Sequence, residues 1–128
     1  MKTLFEVFFV LLVSLVIMHG SVLANPSNKW RLEFSGKAYS DGEIVIAIQP
    51  IGGEEFTVMV PVKGGTSENN VAKTVTKALK EQLSEDAFHV ERDDGEDVLI
   101  KKRHGAADFD VRIISNTVEH VRINPDRE

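Results

Sequence analysis

Between Lys29 and Ser35 apolar and polar residues alternate, with Trp30, Leu32 and Phe34 on one side and Arg31, Glu33 and Ser35 on the other. A period of two marks a strand with one buried face. The run Glu43–Gln49 places Ile44, Ile46 and Ile48 together, and Glu55–Val62 does the same with Phe56, Val58, Val60 and Val62. Asp41-Gly42 predicts a hairpin joining the first two of these strands, and Pro50, Gly52 and Gly53 predict the next turn. Val45, Ala47 and Met59 fall on the opposite face, which predicts that this face is partly covered as well. Pro61 has no N–H to give to a ladder, so its strand is expected to fray or to lie at an edge.

From Ser67 the spacing lengthens. Val71, Val75, Ala78, Leu79 and Leu83 make one stripe at period 3.6, with Lys73, Lys77 and Lys80 turned away from it, which predicts an amphipathic helix. Beyond it the pattern returns to strands at 87–92, 96–102, 109–114 and 118–124. Turns at Asp93-Asp94-Gly95 and Asn116-Thr117 and a loop over 103–108 separate them. The last residues, 125–128, are expected to be a disordered tail. Three strands, one helix and roughly four more strands define an α+β domain. Antiparallel pairing follows, because only the helix is long enough to serve as a crossover. The helical stripe is expected to lie across one face of the sheet. The pattern leaves open whether the strands form one sheet or two.

The first 24 residues change the picture of where this domain works. Lys2 precedes a twelve-residue apolar stretch, Val7–Met18, and a small-residue end, Val22-Leu23-Ala24. That is the layout of a secretory signal cut between Ala24 and Asn25, and the stretch is shorter than the roughly 20 residues that span a bilayer. One domain, 25–128, is left, large enough to bury about two-thirds of its unfolded surface. Its net charge of −5 disfavours nucleic acid and, once the signal is cut, anionic membrane as partners. The chain has no Cys and no N-x-S/T acceptor with x other than Pro, a combination that fits a bacterial periplasmic or secreted protein.

Four constellations carry candidate chemistry. Gly64-Gly65-Thr66-Ser67 stands between a strand and a helix, where free N–H groups and the helix dipole can hold an anion. It lacks the Lys of a phosphate loop, and the same residues serve equally as a sharp corner with Thr66 or Ser67 capping the helix. His89 and Glu91 share a strand face, and His120 approaching from another strand would complete a zinc site. Asp93, Asp94, Glu96 and Asp97 crowd one turn, but Arg92 stands where a calcium loop needs an acid. Lys101, Lys102, Arg103 and His104 form a basic run suited to an acidic partner, unless the acidic turn just before it neutralises them. No nucleophile motif and no isolated pair of carboxylates points to catalysis, and no cofactor or metal is expected.

Residues 43–115 also resemble the hairpin–helix–hairpin module of bacteriophage tail proteins and flagellin-type filament proteins. The features that carry the resemblance are the Gly64–Ser67 corner, the helix opening Val71-Ala72, the Gly95 turn, and Lys101-Lys102 followed by Gly105. The resemblance implies an assembly or interaction module with no chemistry of its own. Tails assembled in the cytoplasm carry no signal, so it is the interaction role that transfers. The sequence therefore predicts an exported, non-enzymatic domain that binds another protein or itself, through the helix face or a strand edge such as that of Pro61. The competing expectation is a small periplasmic hydrolase or ligand-binding protein using His89, Glu91 and His120 or the Gly-rich corner.

Overall fold

The computed structural model describes residues 25–128; the segment read as a secretory signal lies outside them. Seven strands and one helix follow in the order β1 (Lys29–Ser35), β2 (Gly42–Pro50), β3 (Phe56–Val62), α1 (Glu68–Gln82), β4 (Phe88–Asp93), β5 (Asp97–Lys102), β6 (Phe109–Asn116) and β7 (Arg122–Arg127). The strands form two antiparallel sheets, one ordered β4-β5-β1-β7 and the other β3-β2-β6.

The alternation seen in the sequence becomes burial. Trp30, Leu32 and Phe34 of β1, Ile44, Ile46 and Ile48 of β2, and Val58, Val60 and Val62 of β3 enter one apolar cluster with Val98 and Ile100 of β5. The helix lies against β3 and β4, the edge strand of each sheet, and adds Val71, Val75 and Leu79 to the same cluster. Away from the helix, β6 and β1 are tied together. The Trp30 indole donates to the Phe109 carbonyl at 2.8 Å, and Ser27 and Phe109 exchange both backbone hydrogen bonds. Phe109 also meets Phe88 edge-to-face at 5.1 Å. Burying each large aliphatic side chain of this core contributes roughly 1.5–3 kcal/mol.

Three expectations are corrected. Asp41-Gly42 is not a hairpin tip, because β1 and β2 belong to different sheets. Glycine is needed there because a Cβ at residue 42 would lie 2.8 Å from the Thr117 and Val118 backbone. Residues 118–121 are a turn rather than the start of a strand, with Val118 and Val121 buried and His120 at φ +72°. Nor is 125–128 a disordered tail: Pro125, Asp126 and Arg127 pair with Leu32, Arg31 and Trp30, and Glu128 donates to the Lys29 carbonyl. That last bond sets the register, and it turns position 125 away from β1, so the missing N–H of Pro125 costs the ladder nothing.

β3 lies at the edge of its sheet, as Pro61 predicts. Its outer side is occupied by the helix. The Gln82 carboxamide accepts from the Met59 N–H at 3.2 Å and donates to the Met59 carbonyl at 3.0 Å, taking the place of a neighbouring strand. With Pro61 offering no donor two residues on, little of this edge is open to strand addition.

Candidate functional site

Three of the four backbone donors at the Gly64–Ser67 corner are used internally. Gly64 N–H donates to the Asp41 carboxylate at 2.7 Å, Gly65 N–H to the Ala38 carbonyl at 2.7 Å, and Thr66 N–H to the Lys63 carbonyl at 3.2 Å. Gly65 has φ +88°, the left-handed conformation that favours glycine. These bonds tie the corner to the 38–41 loop. The expected cap differs in detail. Ser67 occupies the N-cap position without a side-chain bond, the Thr66 hydroxyl donates back to the Lys63 carbonyl, and Glu68 of the first turn instead accepts from the Gly36 N–H at 2.8 Å.

His89 and His120 are not brought together. His89 is paired with Lys101, which is paired in turn with Lys29 at the start of β1. His120 lies past the other end of β1, where its carbonyl faces Gly36, its ring stacks on Tyr39 at 4.0 Å, and its Nδ1 lies 3.2 Å from the Lys37 carbonyl. The length of β1, about 20 Å, separates the two histidines. Among the described residues no group of three His, Cys, Asp or Glu side chains is placed to hold a metal ion.

The acidic turn already holds a cation, the Arg31 guanidinium. It contacts Asp97 at 2.9 Å, Asp93 at 3.1 Å and Glu128 of the C-terminus at 2.5 Å. Glu128 first and then Asp93 raise the Arg31 pKa further above its already high ordinary value, and Arg31 in return holds the Glu128 carboxyl below the usual range. A lone arginine on the outer face of a strand gives no sequence signal of this role; only the pairing of β1 with β5 and β7 reveals it.

The basic run emerges as a surface. Lys101 is the penultimate residue of β5, and register places His89 of β4 and Lys29 of β1 directly beside it. Directly paired residues share a face, so these three cross the outer side of the sheet as a row spaced at about 5 Å. Arg103, His104 and Gly105 continue from the row into the following loop. Two shallow hollows adjoin along it. One, of about 400 Å³, is lined by Asn28, Lys29, Lys101–His104 and Gly105, with no carboxylate. The other, of about 620 Å³, shares Lys101–His104 and adds His89, Glu85 and Asp86.

The acidic turn does not neutralise this run, since it lies at the far end of the β4–β5 hairpin. Lys101 is paired with Glu91 at 2.7 Å, Lys102 with Asp108 at 3.3 Å, and Arg103 donates to the Glu85 carbonyl. Lys29 and His89 complete the row, and the sequence alone did not associate them with it, because their place depends on which strands flank β5.

No family model matches the chain, and a search of curated proteins finds no similar one. No helix among the described residues is long and apolar enough to cross a membrane.

Proposed function

We propose that this is an exported interaction domain with no catalytic step of its own, and that it grips an acidic surface of another protein with its basic end. The observation that carries this reading is the row His89–Lys101–Lys29 with Arg103 and His104 beyond it, in a chain of net charge −5. In an acidic protein, a concentrated basic hollow is the surface that attracts a partner of opposite charge. The resemblance of residues 43–115 to assembly modules points the same way. The other contact surfaces expected from the sequence offer less support, since the apolar helix face is buried and the β3 edge is occupied by Gln82.

The test is capture of partners by the 25–128 chain, compared with the charge-reversed variant Lys101→Glu/Arg103→Glu. The expected result is that acidic proteins retained at low salt are released by the double substitution and by added salt, while the circular dichroism spectrum stays unchanged. Retention of the same proteins by both chains would place the contact elsewhere.

A further inference from the structure

The basic row already has an occupant. The Glu91 carboxylate, on the same face of β4 as His89, lies 2.7 Å from the Lys101 ammonium and 3.5 Å from His89 Nε2, one oxygen on each. The hydrogen bond from Lys101, outweighing partial burial, holds the Glu91 carboxyl below its ordinary value of 4.5. All three side chains stay partly open to solvent, at 38% for Lys101, 41% for Glu91 and 46% for His89, so the pair is accessible rather than sealed. Exposed pairs of this kind contribute only about 0.2–1 kcal/mol and exchange readily with other partners.

We propose that Glu91 is an intramolecular stand-in for the ligand: a side-chain carboxylate from an extended acidic segment of the partner displaces it from Lys101 and His89, while neighbouring carboxylates of that segment meet Lys29, Arg103 and His104. This rests on the reading of the basic end as the contact surface, and adds the class of ligand and a limit on affinity built into the fold. A carboxylate is favoured because the seat between Lys101 and His89 holds one now. An extended segment is favoured because the row runs across three strands and the hollows beside it are shallow, a shape that follows a chain better than it encloses a small molecule. Glu85 and Asp86 rim the hollow on the β4 side, which steers the segment towards Lys29 and Asn28.

Fluorescein-labelled hexaglutamate, titrated by anisotropy at low salt, tests the idea with the 25–128 chain, Glu91→Gln and Lys29→Glu. Freeing Lys101 and His89 should tighten binding in Glu91→Gln by about two- to fivefold, the fold-change that one exposed pair is worth. Lys29→Glu should weaken it. A gain of affinity cannot come from misfolding, and matched unfolding midpoints for Lys29→Glu guard the loss. If Lys29→Glu weakens binding but Glu91→Gln leaves it unchanged, Glu91 is no competitor and this inference falls while the basic end stands as a contact surface. If polyphosphate of equal charge gains as much from Glu91→Gln as hexaglutamate does, the preference for a peptide carboxylate is overturned. Absence of binding by every chain would overturn both the inference and the reading beneath it.

Discussion

Gly36 meets three constraints at once. It has φ +91°, a Cβ there would lie 2.3 Å from the His120 carbonyl oxygen, and its N–H is bound by Glu68. Gly65 is the contrast, at φ +88° with open space for 4 Å around the point where a Cβ would stand. Replacing Gly65 by Val should therefore cost only backbone strain, about 1–3 kcal/mol, with Asn recovering part of it. Gly36→Ala should cost more than Gly65→Ala, because a backbone carbonyl must also move. Urea unfolding of the variants measures both. The Gly65→Val loss should be the same with and without phosphate; a phosphate-dependent difference would mean that the corner binds anions after all.

At the scale of elements, Gln82 decides how β3 ends its sheet. Gln82→Ala leaves the Met59 N–H and carbonyl without their partner, and two exposed hydrogen bonds of this kind are together worth about 1–2 kcal/mol. The unfolding midpoint should fall accordingly, and a variant as stable as the parent would show that water replaces the carboxamide without loss. The element boundaries were largely legible in the sequence because burial follows periodicity. Lys29–Ser35 alternates and is β1, and the Val71, Val75 and Leu79 stripe is buried. Pairing was not legible. Asp-Gly has the same chemistry whether it turns a hairpin or, as at Gly42, lets another backbone approach closely. Pro125 would break a central strand but sits harmlessly on the outer side of β7. Of the candidate site, the contiguous run Lys101–His104 could be read directly, whereas His89 joins it only through the register of the β4–β5 hairpin and Lys29 only through the pairing of β5 with the distant β1.

Across the whole molecule, Arg31 links β1, the β4–β5 hairpin and the C-terminus. The Glu128 carboxyl is depressed by Arg31, and the Glu91 carboxyl by Lys101. Groups whose folded pKa lies below the unfolded value contribute stability that is full above the ordinary carboxylate range and is lost as pH falls through the folded pKa. Stability should thus decline below about pH 4.5. Arg31→Met should cost about 1–2 kcal/mol at neutral pH, since it leaves three carboxylates facing one another. The two unfolding curves should converge in acid; a constant gap down to low pH would mean that Arg31 acts by packing alone. The strand order has a consequence in time as well. β1 is flanked by β5 and β7, so it has neither neighbour until residues far downstream have been synthesised. The larger sheet can close only after Arg122–Arg127 has been made, and such distant pairings form in milliseconds to seconds. Through that interval β1 keeps both of its hydrogen-bonding edges open, a template that any other extended chain could copy.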